Sequence, residues 1–200
     1  MMLSRSQIIL ASTSITRRKM LEDAGARLII KAPEIDEDVV KQSIAGSDPA
    51  DIAMILAQAK AMSVSEANRS AIVVAADQVL SLGDRIFNKP KNREEARDQL
   101  LDLRGQRHVL TSAVACAIDG NVIWSHDDEA QLVMREFSNE FLGAYLAALD
   151  DQVFDSVGGY KLEGLGSQLF EAVEGDFFTI LGLPLLPLLE FLRSQNVMLS

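Results

Sequence analysis

Apolar and polar positions alternate in blocks along this chain, and the blocks have two periods. Residues 71–80 open with the run Ala71 to Ala76, continue through Asp77 and Gln78, and close on Val79 and Leu80. A run of this kind predicts a strand buried on both faces. Shorter apolar blocks at 7–11 and 26–31 predict two more strands. Further strands are expected at 108–115 and 121–124 around the turn Asp119-Gly120-Asn121, and at 131–137, 168–173 and 177–181. Helical spacing lies between them. Ser14, Asp48 before Pro49, Asn92 and Ser138 each stand where a helix N-cap is expected. In the helix after Asp48, Ile52, Ile55, Leu56, Ala59 and Met62 make the expected buried stripe. Gly182-Leu183-Pro184 leads into a last, strongly apolar helix. Alternating strands and helices of this kind predict an α/β protein, with one domain over residues 1–200 and no internal repeat.

Composition narrows the function. The chain has 200 residues, 48% hydrophobic and 24% charged, the balance of an ordinary globular protein. Its net charge of −10 repels phosphate polymers, so no nucleic-acid polymer is expected as partner. A small phosphorylated ligand held by a few local cations stays compatible with it. One cysteine, Cys116, excludes an intrachain disulfide and a cysteine-rich zinc site. The most apolar segment, 180–192, is interrupted by Pro184, Pro187 and Glu190, so no membrane partner is expected. The opening residues 1–6 lack a leader pattern, and a cytoplasmic setting is the expectation.

Five places carry candidate chemistry. Asp77 ends the apolar run, and a carboxylate there needs a partner because an isolated buried charge is very costly. The turn Gly83-Asp84 folds the chain back toward Ile86 to Pro90 and makes Lys89 the expected neighbour; the plainer alternative is that Asp77 only caps a turn. The hydroxyls Ser12, Thr13 and Ser14, followed by Thr16, Arg17, Arg18 and Lys19, open a helix after a strand. That arrangement suits an anion; the plainer alternative is that the cations form a solvated face. Glu34, Asp36, Glu37 and Asp38 form an acidic loop that either gathers a hard cation or is merely solvated. Lys60, between Ala59 and Ala61, either reaches a pocket or faces solvent. The glycine-rich stretch 158–166 fits neither dinucleotide nor Walker spacing, but allows close backbone approach.

Taken in order, these segments resemble the Maf family of nucleoside triphosphate pyrophosphatases. Leu10 to Arg18 resembles the family's phosphate-binding loop, with Ile15 where proline is usual. Leu56 to Ala61 resembles its lysine-bearing helix. Ala76-Asp77-Gln78-Val79 with Asn88-Lys89-Pro90 resembles its central acid and lysine pair. The stretches 158–164 and 181–185 resemble its two terminal motifs. The resemblance implies a mixed, twisted sheet with flanking helices and two lobes around a nucleotide cleft, usually in a homodimer. It implies hydrolysis of a nucleoside triphosphate to the monophosphate and pyrophosphate, with Mg²⁺ or Mn²⁺ as cofactor. Ser12 and Arg17 match the phosphate loop, and Lys60, Lys89 and Asp77 match catalytic positions. Glu34 matches an acidic position, which with Asp77 would serve the metal. Thr16, Gln78 and Glu163 match positions that separate substrate branches. Gln78 and Glu163 resemble the branch acting on 7-methyl-GTP, whereas Thr16 matches neither branch. The family is also associated with removing non-standard nucleotides and with septum formation. A nucleotide-binding regulator of division, acting through a partner without turnover, is the alternative. The joint presence of the acid and the lysines favours the enzyme.

Overall fold

The computed structural model describes Ser4, residues 6–44 and residues 46–199. The opening residues Met1, Met2, Leu3 and Arg5, where no leader is expected, lie outside the described residues. The strands are β1 (Gln7–Ala11), β2 (Arg27–Lys31), β3 (Val73–Leu82), β4 (Arg85–Phe87), β5 (Arg107–Ile118), β6 (Asn121–Met134) and β7 (Phe170–Glu174). The helices are α1 (Ile15–Asp23), α2 (Glu37–Ser43), α3 (Pro49–Glu66), α4 (Arg93–Leu103), α5 (Asn139–Leu149), α6 (Phe177–Ile180) and α7 (Leu185–Ser194). The sheet order is β2-β1-β3-β5-β6-β7, with β4 paired to β3. It is mixed: β1 runs parallel to β2 and β3, while β3–β4 and β6–β7 are antiparallel.

Two compact units divide the chain. The first comprises Met1–Gln78, Ser112–Asp128 and Gly182–Ser200; the second comprises Val79–Thr111 and Glu129–Leu181. In the first, β1, a parallel strand between β2 and β3, is buried at every position after Gln7, and β2, at the end of the strand order, is largely exposed. In the second, Leu80, Leu100, Leu110, Leu132, Met134 and Tyr160 are among the residues of a core that packs α4 and α5. Gly158 has φ +74, and a Cβ there would meet Leu80 Cδ1 at 2.7 Å. The close approach that this glycine allows is therefore to the core.

Local signals placed most elements. Ser14, Asp48, Asn92 and Ser138 each accept a backbone N–H at the start of their helix. Five expectations are corrected. β3 runs on past Leu80 to Leu82, because residues 80–82 pair with β4. Residues 121–134 form one strand rather than two, and β7 pairs with its far end. Residues 177–180 are helical, because the Asp176 carboxylate caps Phe178 and Thr179 N–H and overrides the strand propensity of Phe-Phe-Thr-Ile. Part of the acidic loop is α2: Asp36 caps Asp38 and Val39, and Glu37 and Asp38 occupy the first turn, where carboxylates favour the helix dipole. Finally, α3 buries Ile52, Ala53, Leu56, Ala57, Lys60, Ala61 and Val64, leaving Ile55 and Met62 exposed. The alanines allow close packing on β1, and that turns the buried stripe toward Lys60.

Candidate active site

The site in the first unit starts where β1 ends. Ser12 is buried, and its Oγ accepts from Ser14 N–H at 3.1 Å; Ser14 Oγ in turn accepts from Arg17 N–H at 3.3 Å. These hydroxyls fix the loop that enters α1. Arg17 leaves the first turn of α1 and is clamped by two backbone carbonyls. Its Nε donates to Gly182 O and its Nη1 to Ala76 O, each at 2.7 Å. Burial draws the Arg17 pKa down from its ordinary value, while the Asp77 and Glu37 carboxylates pull it back up. The other two cations separate from it. Arg18 pairs with Glu22 at 2.8 Å and Lys19 with Asp23 at 3.0 Å, both exposed along α1. They form the solvated face, and ion pairs of this kind contribute little.

Lys60 answers the question of a partner for Asp77. Asp77 is 8% exposed and Lys60 7%. Lys60 Nζ stands 2.6 Å from Asp77 Oδ1 and 2.8 Å from Glu37 Oε1. One buried ammonium therefore holds two carboxylates, one from a central strand and one from the first turn of α2. Turn-capping is excluded as the role of Asp77, since it lies inside β3 and is paired. Glu34, by contrast, is exposed and lines an open depression of about 620 Å³ with Ile35, Asp36, Glu37 and Asp38. Of the four carboxylates read as one acidic loop, Glu37, and not the Glu34 that the family resemblance singles out, is the one that reaches Lys60. The available signal was the cap sequence Asp36-Glu37-Asp38 before a helix, which distinguishes these three carboxylates from a plain loop.

Gln78 follows Asp77, and its Nε2 donates to Ser112 Oγ at 3.0 Å. Gly182, at φ +93, is the close neighbour of both Arg17 and Gln78. A Cβ there would lie 3.3 Å from Arg17 Nη2 and 3.5 Å from Gln78 Oε1. Thr16 is half-buried on α1. The structure thus gathers Ser12, Arg17, Lys60, Asp77 and Gln78 in one unit and adds Glu37, Ser112 and the Ala76 and Gly182 carbonyls. Lys89 and Glu163 belong to the second unit. Lys89 is exposed between β4 and α4. Glu163 is exposed in a turn closed by Gly164 N–H to Lys161 O at 3.2 Å.

A backbone-clamped arginine and a lysine-bridged carboxylate pair, set around the central strand β3 of an α/β sheet, are the equipment of a protein for phosphate chemistry. Residues 7–195 match the family described as Maf-like protein, and the chain belongs to that family. A nucleoside triphosphate pyrophosphatase of Paramagnetospirillum magneticum is 50% identical over 94% of this chain and 98% of its own length. One from Bradyrhizobium diazoefficiens is 49% identical over 96% of both chains. A 7-methyl-GTP pyrophosphatase of Brucella abortus is 46% identical over 95% of this chain and 96% of its own. Among solved structures, a Neisseria meningitidis lipoprotein covers 76% of this chain at 14% identity and a TM-score of 0.30, too slight a likeness to carry an argument.

Proposed function

We propose that this chain hydrolyses a nucleoside triphosphate to the monophosphate and pyrophosphate. The observation that carries this is the buried Lys60 bridging Asp77 and Glu37, in a chain about half identical to relatives named for that activity. Arg17, Lys60 and Lys89 are the cations for the triphosphate. Ser12 and the start of α1 contribute hydroxyl and N–H donors to a phosphate. Asp77 orients the attacking water and takes its proton, as a general base. The water oxygen bonds to phosphorus as the α–β anhydride P–O bond breaks, and the electron pair leaves with pyrophosphate. Chemistry of this kind rests mainly on positioning and on charge stabilisation.

A divalent cation, Mg²⁺ or Mn²⁺, is the proposed cofactor. The donor set fits it. Asp77 and Glu37 bring hard oxygen donors around one point, and Mg²⁺ uses one or two carboxylates together with substrate phosphates. Among the described residues, no cluster of three or more His, Cys, Asp or Glu forms a complete protein cage. Asp77 and Glu37 would hold the ion, with Glu34 on the neighbouring depression. Its chemistry would be to neutralise charge on the phosphate oxygens. A homodimer in the cytoplasm is the setting that the family resemblance supports, and no helix among the described residues is long and apolar enough to cross a membrane.

The proposed substrate is a guanine-type triphosphate, such as 7-methyl-GTP. Glu163 would accept from the guanine N1–H and N2–H₂ donors, and a pyrimidine edge offers fewer donors to a carboxylate. Several relatives carry that substrate in their name. The experiment is pyrophosphate release from a panel of canonical and methylated triphosphates with each metal. The expected result is a kcat/KM ratio of 7-methyl-GTP to UTP above one, lowered by Gln78→Thr with Glu163→Gln. A ratio below one, or one unmoved by the double change, removes both residues from specificity.

A further inference from the structure

Lys89 stands on a short loop that α4 holds from both sides. Before it, the Asn88 carbonyl accepts from Gln99 Nε2 at 3.0 Å. After it, Lys91 N–H donates to Glu95 Oε2 at 2.9 Å, and Asn92 caps α4 by accepting from Glu95 N–H at 2.9 Å. Pro90, between the two anchors, is buried. Glu95 is an ordinary first-turn residue. Gln99 is not ordinary: it lies on the buried face of α4 with Ala96, Leu100 and Leu103, and is 6% exposed.

A glutamine there is costly. Its Oε1 is buried and has no partner among the described residues. An unpaired buried acceptor is destabilising, and a methionine or leucine of similar size would fill the same face without it. Helical periodicity gives no reason for an amide at this position. The bond to Asn88 does, because it fixes the backbone immediately before Lys89.

We propose that Gln99 is a positioning residue for Lys89. Its amide locks the Asn88 carbonyl, and with the Lys91–Glu95 bond it sets the direction in which the lysine leaves the loop. The inference rests on the role given above to Lys89 as a cation for the triphosphate. Misplacing a catalytic group by about 1 Å can cost about a hundredfold in rate.

The test is a double-mutant cycle on kcat/KM, with the triphosphate that the wild type turns over fastest. Gln99→Met should lower kcat/KM by about tenfold to a hundredfold, divided between kcat and KM as in Lys89→Ala. In the Lys89→Ala background it should add almost nothing, because the residue it positions is gone. Equal losses in both backgrounds, or no loss in the wild-type background, would overturn the positioning role. If Lys89→Ala alone keeps wild-type kinetics, the role of Lys89 fails and this inference fails with it. An effect of Lys89→Ala with none of Gln99→Met sinks only the inference. Should Gln99→Met not fold, Gln99→Leu replaces it. Hydrogen exchange at the Lys91 amide then reads the loop without turnover: faster exchange there, with β5 unchanged, is expected, and unchanged exchange overturns the proposal.

Discussion

Lys60 Nζ lies 2.6 Å from Asp77 Oδ1, and both side chains are almost completely buried. A pair of this kind is sensitive to losing one partner, because the remaining charge stays desolvated. Glu37 makes the two sides unequal. It offers Lys60 a second carboxylate, at 2.8 Å and near the surface, so the lysine survives the loss of Asp77 better than Asp77 survives the loss of the lysine.

Asp77→Asn is therefore expected to abolish turnover while leaving the fold largely intact. The amide keeps an acceptor oxygen toward Lys60 but cannot take a proton. Loss of a general base lowers kcat by about 10²–10⁴-fold. Steady-state kinetics beside a melting curve measures both, and a near-normal kcat would remove Asp77 from the chemistry.

Lys60→Met should do the opposite to stability. It leaves the Asp77 carboxylate buried without its ammonium, at a cost of about 3 kcal/mol or more. Adding Asp77→Asn to that variant should recover part of the loss, since the orphaned charge is then gone. Urea unfolding of the two single variants and the double variant gives the coupling; simple additivity would mean that the pair does not act as a unit.

Arg17→Lys keeps the charge but cannot span two carbonyls 59 and 165 residues away in sequence. The expected loss is about 2 kcal/mol, which for a chain of this size lowers the melting temperature by roughly 4–8 °C. A fall in kcat/KM should accompany it. Unchanged melting would show that the clamp contributes nothing to the fold.

His108 gives a pH dependence. It is buried in the second unit, with Nε2 2.8 Å from the Tyr160 hydroxyl. Burial lowers its pKa from 6.5 to about 4, against a smaller opposing effect of the Gln106 backbone. The native state thus favours the neutral ring. Between pH 6.5 and about 4 the unfolded chain binds the proton and the folded chain does not, so stability falls as pH falls through that window. The full contribution is on the order of 3 kcal/mol. His108→Gln should flatten the slope of melting temperature against pH across the window, and an unaltered slope would assign it to other groups.

Much of this was legible from local residues. Ser14, Asp48, Asn92 and Ser138 announce their helices because a cap acts within three residues of itself. Asp77 was legible as a carboxylate in need of a partner. Its partner was not, because periodicity describes one helix at a time: Lys60 is buried only because Glu37 and Asp77 arrive from α2 and β3. Phe177 is a different case: the cap at Asp176 is present locally, but the strand propensity of the residues after it takes the greater weight in a reading of the sequence. The Arg17 clamp uses main-chain carbonyls, and these leave no trace in side-chain identity.

The bond from Arg17 to Gly182 has a consequence for synthesis. Its partners are 165 residues apart, and the first unit is built from three separate segments of the sequence. A nascent chain holds Ser12, Arg17, Lys60 and Asp77 long before Gly182 leaves the ribosome, so the arginine waits for one of its acceptors while the 165 residues between them are made. Long-range closures of this kind form late and slow folding. The clamp is thus completed only once Gly182 has been made, and a chain cut short before residue 182 carries Lys60 and Asp77 with Arg17 held by the Ala76 carbonyl alone.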